Sequence, residues 1–199
     1  MELRPYQFDA KKKIYAVWQG GELNVLAVLP TGAGKTVVLS DIVREHVGAC
    51  CVIAHRQELV SQISMALARD GVRHKILGPK NVIREIVGLH MEELGVSFYD
   101  PNSQCAVAGV RTLVSRRNDE QLQAWCQTVT LWVQDEAHHL IRETEWGTAA
   151  DMFPRAKGLG VTATPLRADG KGLGRHADGV FDQMIVGPNM RDLINMEYL

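Results

Sequence analysis

The fold is decided by the stretch LPTGAGKT at residues 29–36, which follows directly after the apolar run NVLAV at residues 24–28. Gly32 and Gly34 allow the backbone to turn so that successive N–H groups point into one concavity. A helix that begins near Lys35 would add the positive end of its dipole to this concavity. The pattern therefore predicts a strand, an anion-binding turn and a helix, in that order.

The side chains of this turn indicate that the anion is a nucleotide. Lys35 would place an ammonium group on the outer phosphates, and Thr36 would place its hydroxyl on a magnesium ion. Leu29 stands where the G-x-x-x-x-G-K-[ST] pattern has its first glycine, which makes the match less specific. The alternative at this point is a glycine-rich turn between a strand and a helix that binds no ligand.

Size and composition indicate one soluble domain. A chain of 199 residues with 46% hydrophobic and 23% charged residues is long enough to bury one substantial core. Neither a membrane-spanning run nor an apolar signal core is visible, so we expect a cytoplasmic location, in the host cytoplasm if a phage encodes the protein. The four cysteines have no C-x-x-C spacing, and we expect neither zinc nor disulfides. Because 22 basic residues face 23 acidic ones, any nucleic-acid contact must come from local basic clusters.

Apolar strand candidates alternate with helical patterns along the chain. The strand candidates are residues 24–28, 49–54, 72–77, 104–110, 129–134 and 158–162. The helical patterns are a first helix that ends at Gly20-Gly21, then 37–47, 56–70, 81–94, 113–126, 146–152 and a closing helix from 189. Continuous apolar strands separated by helices predict an α/β fold, a doubly wound and mainly parallel sheet with helices on both faces. We expect a single domain over residues 1–199.

Acidic residues follow the strand candidate at residues 129–134. Asp135 would hold the magnesium ion, and Glu136 would polarise the water that attacks the terminal phosphate. The alternative is an acidic turn that merely ends a strand. Because the carboxyl ends of parallel strands meet at one edge, we expect this pair beside the turn at 29–36, together with residues 162–164 and His55-Arg56.

Five segments, in this order, resemble the motifs of superfamily 2 helicases. They are RPYQ at 4–7, LPTGAGKT at 29–36, AHRQEL at 54–59, DEAH at 135–138 and TATP at 162–165. The residues of these segments are similar to those of the DEAD/DEAH-type DNA helicases of bacteria and their phages. RNA-specific DEAD-box proteins instead have Asp where His138 stands. The resemblance implies the N-terminal RecA-like, P-loop motor domain of such a helicase, with ATP and Mg²⁺ as cofactors.

The resemblance also implies roles for single residues at the nucleotide. The first 20 residues would carry the adenine-recognition motif, in which Gln7 selects adenine with help from Arg4 or Tyr6. The phosphate-binding residues would be Pro30, Thr31, Gly32, Ala33, Gly34, Lys35 and Thr36. The residues expected to carry out hydrolysis are Lys35, Asp135, Glu136 and His138, with Thr36 and Asp135 on the metal.

Further residues are implied to bind nucleic acid or to link the two sites. His138 would connect the nucleotide to the bound strand, and Thr162 and Thr164 would relay the state of the γ-phosphate. Contacts to phosphates, independent of base sequence, are expected from His55, Arg56, Arg111 and Thr112. Two further sets of basic residues fit either a strand contact or a solvated face. They are Arg111, Arg116 and Arg117, and then Arg167, Lys171, Arg175 and His176 in the glycine-rich stretch 169–179. His139 is more simply interpreted as a surface or packing imidazole.

The second motor domain of this family has no counterpart in the sequence, because no Q-x-x-G-R-x-x-R pattern follows Thr164. An arginine from that domain is worth about a thousandfold or more in turnover. We therefore expect a monomeric domain that binds ATP, hydrolyses it poorly alone, and works on nucleic acid, DNA rather than RNA, with a C-terminal motor domain. The alternatives are a binding module without motor activity and an RNA helicase.

Overall fold

The computed structural model describes residues 2–140, 144–165, 172–175 and 179–198. The strands are β1 Asn24–Val28, β2 Ala49–Ala54, β3 Lys75–Leu77, β4 Cys105–Gly109, β5 Val129–Gln134, β6 Lys157–Thr162 and β7 Gln183–Val186. The helices are α1 Pro5–Gln19, α2 Lys35–Glu45, α3 Gln57–Arg69, α4 Lys80–Leu94, α5 Val110–Ser115, α6 Glu120–Cys126, α7 Glu145–Asp151 and α8 Met190–Asn195. A 3-10 turn occupies Ala137–His139.

The seven strands form one parallel sheet in the order β3-β4-β2-β5-β6-β1-β7. This confirms the predicted α/β fold. Every strand points the same way, so the turns that follow the strands all lie at one edge of the sheet. In the described part of the chain, no helix is both long and apolar enough to cross a membrane.

Helices cover both faces of the sheet, and the strands alternate between two cores. In β1, Val25 and Ala27 face the core that α1, α2, α3, α4 and α8 cover, whereas Leu26 and Val28 face the core that α5, α6 and α7 cover. Burial on both faces explains why the strands are continuous apolar runs in the sequence.

Two predictions about elements were wrong. Residues 113–126 form two helices, because Asp119 accepts a hydrogen bond from Leu122 N (3.0 Å) and so starts α6 as a new helix. The strand candidate at 158–162 is not the last strand, since β7 follows it at the edge of the sheet.

Candidate nucleotide and nucleic-acid site

The strand order divides the carboxyl edge of the sheet into two halves. Neighbouring strands β5, β6 and β1 lead into Asp135-Glu136, residues 162–164 and the turn at 29–36. On the other half, β3, β4 and β2 lead into Gly78-Pro79, Arg111-Thr112 and His55-Arg56. The residues predicted to bind nucleotide therefore lie on one half, those predicted to bind nucleic acid lie on the other, and β2 beside β5 forms the boundary.

The phosphate-binding turn has the backbone that its glycines predict. Gly32 has φ 82°, and Gly34 has φ 75° and ψ 42°, both in the left-handed region. A Cβ on Gly34 would lie 2.4 Å from Gln7 Nε2, so no other residue fits there without displacing Gln7. Gly34 caps α2 without a side-chain hydrogen bond, which leaves the first N–H groups of α2 available to an anion.

The three residues predicted to select adenine pack against this turn. Gln7 Nε2 and the Tyr6 hydroxyl both donate to Ala33 O at 2.9 Å, and Gln7 Oε1 accepts from Arg4 N at 2.9 Å. Gln7 is only 3% exposed. In this structure Gln7 and Tyr6 therefore hold the turn in place, and contact with adenine stays a prediction.

Tyr198 also belongs to this neighbourhood, although sequence reasoning missed it. Its carbonyl accepts from the Arg4 guanidinium at 3.1 Å, and its ring lies 5.2 Å from the ring of Tyr6. The Arg4 guanidinium also lies 5.2 Å from the centre of the Tyr198 ring, within range of a cation–π contact. No local sequence pattern reveals a contact between residues so far apart.

An ion cluster fixes α1 against α2. Lys11 Nζ lies 2.5 Å from Asp41 Oδ2 and 2.7 Å from Glu45 Oε2. Burial lowers the pKa of Lys11, but the bonds to Asp41 and Glu45 outweigh it and leave the pKa raised. The cluster joins the helix that carries Gln7 to the helix that begins at Lys35.

The acidic pair adopts a strained turn directly after β5. Asp135 is 6% exposed, and its Oδ1 accepts from Glu136 N at 2.9 Å. Glu136 has φ 52°, a left-handed conformation that costs a residue with a side chain of order 1–3 kcal/mol. Burial raises the pKa of Asp135, whereas the charge of nearby Lys35 lowers it.

His138 connects this turn to the end of β6. Its Nδ1 lies 3.2 Å from Glu136 Oε2 and 3.1 Å from Thr162 Oγ1. The Thr162 hydroxyl donates to Thr164 O at 3.1 Å and accepts from Thr164 N at 3.2 Å. Because the carboxylate only accepts and the Thr162 proton is used on Thr164, His138 Nδ1 carries a proton and donates it. The structure thus brings together Glu136, His138, Thr162 and Thr164.

Three stacked rings stand at the boundary between the two halves. The ring of His55 lies 4.8 Å from those of His139 and Trp146, with angles of 29° and 30°, and His139 lies 4.1 Å from His138. Burial lowers the pKa of both His55 and His139, and the charges of Arg56 and Arg111 lower the pKa of His55 further. Both imidazoles are therefore neutral near pH 7. Sequence reasoning found His55 but not its stack with His139 and Trp146.

A groove of about 590 Å³ opens on the other half of the edge. Its lining includes all four residues predicted to bind nucleic acid, namely His55, Arg56, Arg111 and Thr112. Gly78 and Pro79, after β3, line the same groove and were not predicted. Arg111 and Arg56 are exposed, so two cations face the space where a phosphate would lie.

The second set of basic residues is only partly described. Arg175 forms an ion pair with Asp182 Oδ1 at 2.5 Å. Arg167, Lys171 and His176 lie outside the described residues, as does most of the stretch 169–179. Arg116 pairs with Asp119 at 2.7 Å and is not among the residues that line the groove.

Thr36 and Asp135 fit the magnesium ion that the nucleotide-binding pattern implies. They offer a hydroxyl and a buried carboxylate, the oxygen donors that Mg²⁺ prefers. Among the described residues, no group of three or more His, Cys, Asp or Glu side chains forms a metal site of its own. A cation shared between one or two protein oxygens and the phosphates of a nucleotide agrees with this donor set.

The parallel sheet, the phosphate-binding turn after β1 and the DEAH turn after β5 define a RecA-like motor domain of the superfamily 2 helicase class. Within that class, the chain belongs to the family described as "Type III restriction enzyme, res subunit", whose model matches residues 1–167.

Individual proteins agree with this assignment. The putative mitochondrial ATP-dependent helicase irc3 of Schizosaccharomyces pombe is 26% identical and covers 100% of the chain, which spans 31% of that protein. The ATP-dependent RNA helicase DHX58 of Mus musculus is 25% identical over 93% of the chain, which spans 27% of it. The chain is therefore under a third as long as either relative.

Among solved structures, a nuclease-deletion mutant of the Type ISP restriction-modification enzyme LlaGI, in complex with a DNA substrate mimic, has the same fold. The TM-score is 0.66 at 13% identity, over 100% of this chain and 21% of that one.

Proposed function

We propose that this chain is the ATP-binding motor domain of a helicase or translocase that acts on nucleic acid. The observation that supports this most directly is the meeting of three turns on neighbouring strands. They are the start of α2, whose cap Gly34 makes no side-chain hydrogen bond, the strained Asp135-Glu136 turn, and the turn after β6, where Thr162 bonds His138. These turns would supply an anion site, a metal-binding carboxylate and a general base at one edge of the sheet.

Each of these residues would take one step of ATP hydrolysis. The N–H groups of residues 30–36 and the Lys35 ammonium would bind the β- and γ-phosphates. Thr36 and Asp135 would hold Mg²⁺, which when bound neutralises phosphate charge. The Glu136 carboxylate would take a proton from the attacking water, and His138 would hold that carboxylate in place. Arg4, Tyr6 and Gln7 would form the adenine end of the site.

The partner would be nucleic acid held by its phosphates, and DNA is preferred over RNA. Arg56, Arg111, Thr112 and His55 offer cations and donors to a backbone rather than a surface that reads bases. The preference for DNA rests on the DEAH motif at residues 135–138 and on the fold that the chain shares with the LlaGI–DNA complex. DHX58, named as an RNA helicase, keeps RNA as the alternative substrate.

The remaining parts of the proposal concern the rest of the protein. Residues 1–199 would form one monomeric domain in the cytoplasm of a bacterium or of a phage's host. A second motor domain of the same protein would supply the arginines that complete the γ-phosphate site. Without that domain, the chain would bind ATP and hydrolyse it slowly.

Nucleotide binding by Lys35→Ala tests the site. Calorimetric titration of the chain with a slowly hydrolysed ATP analogue and Mg²⁺ should show binding at least about a hundredfold weaker than wild type. Glu136→Gln should bind the analogue like wild type, while turnover falls by about a hundredfold or more. The exposed Lys12→Ala on α1 is the matched control and should bind normally. Equal affinity of Lys35→Ala and wild type would show that the assignment is wrong.

A second measurement separates a motor from a binding module. The full-length protein that contains this chain should hydrolyse ATP faster when single-stranded DNA is added, and RNA of the same sequence should stimulate it less. Stimulation by RNA alone would favour the RNA helicase. The absence of stimulation by either would leave the module without motor activity.

A further inference from the structure

We propose that His139 is a positioning residue that couples the nucleic-acid groove to Glu136, through its ring contacts with His55 and His138. The inference rests on the proposed function, since it needs a phosphate backbone in the groove and a nucleotide at the turn. It gives a role to a residue that the sequence suggested was only a surface or packing imidazole.

The sheet order brings the two ends of this connection together. β2 lies beside β5, and Ile53 of β2 is paired with Gln134 of β5. His55 therefore leaves β2 beside the 3-10 turn that follows β5. This turn carries His139. The 4.8 Å stack of His55 on His139 is a side-chain contact between the two halves of the edge.

At the groove end, His55 is both a wall of the groove and a member of the ring stack. It lines the 590 Å³ groove with Arg56 and Arg111, so a phosphate bound there would bring a negative charge close to the imidazole. A second cavity of about 330 Å³ is lined by both His55 and His139 and also by Glu136. This space gives the two imidazoles room to shift when the groove is filled.

At the nucleotide end, a shift of His139 would reach Glu136, the proposed general base, through His138. His139 lies 4.1 Å from the His138 ring, whose Nδ1 is 3.2 Å from Glu136 Oε2. Moving the His138 ring would therefore change the orientation of the carboxylate that is to take the proton from water. A displacement of about 1 Å in a catalytic group changes rates about a hundredfold.

Unpartnered polar atoms on a neighbouring strand would give a rotated His55 ring a hydrogen-bond partner. Among the described residues, His55 Nδ1 and both polar atoms of the Gln134 amide are buried without a hydrogen-bond partner. The two side chains lie on the same face of the sheet, since Ile53 and Trp132 belong to one core and His55 stacks on Trp146 of that core. A rotation of the His55 ring toward Gln134 would pair Nδ1 with one of the two amide atoms and would change the contact with His139.

The coupling between the two ligands tests this proposal without measuring activity. Fluorescence anisotropy would give the Kd of the chain for a labelled oligothymidylate of about 20 nucleotides. The titration is done with and without a saturating, slowly hydrolysed ATP analogue and Mg²⁺. The ratio of the two Kd values should be at least about fivefold from unity in wild type. In His139→Ala the ratio should fall to within about twofold of unity.

Two further variants separate positioning from a general structural role. His139→Phe keeps a ring in the stack and should retain most of the coupling. His46→Ala, at the opposite edge of the sheet where His46 bonds Thr130, is the matched control and should keep the wild-type ratio. A residue that only stabilises the fold would change stability or both affinities and leave the ratio unchanged.

The outcomes are distinct for the two proposals. A wild-type ratio near unity, or an unchanged ratio in His139→Ala, overturns the role of His139 and leaves the proposed function standing. Failure of wild type to bind the nucleotide analogue or the oligonucleotide overturns the proposed function, and this inference with it.

Discussion

Two buried polar clusters in this domain are built in opposite ways. The Ser64 cluster consists of Ser64, His74 and His90, which are completely buried and form hydrogen bonds to one another and to the backbone. The Gln134 pair consists of Gln134 and His55, whose amide and Nδ1 atoms are buried without partners among the described residues. The donors and acceptors of the Ser64 cluster are hydrogen-bonded, whereas those named atoms of the Gln134 pair are not.

The bonds of the Ser64 cluster follow one another in a single direction. Phe98 N donates to His90 Nδ1 (3.3 Å), so His90 Nε2 carries the proton and donates to Ser64 Oγ (3.1 Å). The Ser64 hydroxyl then donates to His74 Nε2 (2.6 Å), and His74 Nδ1 donates to Val72 O (2.9 Å). This direction holds only while both imidazoles are neutral.

The two clusters differ because one stabilises the fold, whereas the other lies where the site needs side chains that can move. The Ser64 cluster joins α3 and α4 to the segment that leads into β3, and none of its three residues lines the groove. The Gln134 pair lies at the ends of β5 and β2, beside Glu136 and the groove. Buried groups without partners cost stability, and such costs concentrate where a site needs a second arrangement. Three predictions test this contrast.

Ser64→Ala should give the largest effect, a loss of about 3 kcal/mol in the free energy of unfolding. The substitution leaves His74 Nε2 without a donor and the His90 Nε2 proton without an acceptor, and each such group costs about 1–3 kcal/mol. Urea denaturation followed by circular dichroism measures the change. Ser61→Ala, on the same helix α3 but only partly buried, is the control and should change stability by less than about 0.5 kcal/mol. Equal effects of the two variants would contradict the cooperative role of Ser64.

Acid should break the same cluster with a somewhat smaller effect. Burial lowers the pKa of His74 to about 4 from its ordinary 6.5. The unfolded chain therefore takes up a proton below pH 6.5 that the folded chain refuses. The contribution of His74 to the free energy of unfolding is therefore complete above pH 6.5 and is lost as the pH falls toward 4. Between pH 7 and pH 5 the loss from His74 is about 2 kcal/mol.

Urea denaturation at both pH values measures this loss, and a variant without the imidazole isolates it. His74→Gln should be less stable at pH 7, but it should lose about 2 kcal/mol less than wild type on going to pH 5. An identical pH dependence in wild type and His74→Gln would show that His74 titrates normally in the folded protein.

Much of the fold followed from local sequence, because its strands are buried on both faces. β2 and β5 were predicted with their observed bounds, since an apolar run ended by a polar turn is a strong signal. β7 was missed because an edge strand buries few residues, and here only Ile185 of Gln183–Val186 is buried. The break between α5 and α6 was missed because Asp119 fits a helix surface as well as a helix start.

The nucleotide half of the candidate site was predictable from the sequence to a greater extent than the ring stack at its boundary. Lys35, Asp135 and Thr162 each follow a strand end, and parallel strands bring such residues to one edge. The stack of His55, His139 and Trp146 depends on which strands are neighbours in space, and no local spacing encodes that. Gln7 was expected to face adenine, and only the structure reveals that its amide is bonded to Ala33 and Arg4.

Gln134→Leu should give the smallest effect and the opposite sign. Replacing a buried, unpartnered amide by an apolar side chain of similar size removes a desolvation cost, so we expect a gain of about 1 kcal/mol in the free energy of unfolding. In a thermal melt, this corresponds to about 2–4 °C. The exposed Gln121→Leu on α6 is the control and should change stability by less than about 0.5 kcal/mol.

The same variant also connects stability to function. If the amide is kept as the partner of a rotated His55, Gln134→Leu should weaken the coupling between nucleotide and oligonucleotide while it stabilises the fold, a trade that a packing residue does not show. A loss of more than about 1 kcal/mol would mean that the amide is hydrogen-bonded in solution. The Gln134 pair would then be a satisfied cluster like that of Ser64, and the contrast between the two would disappear.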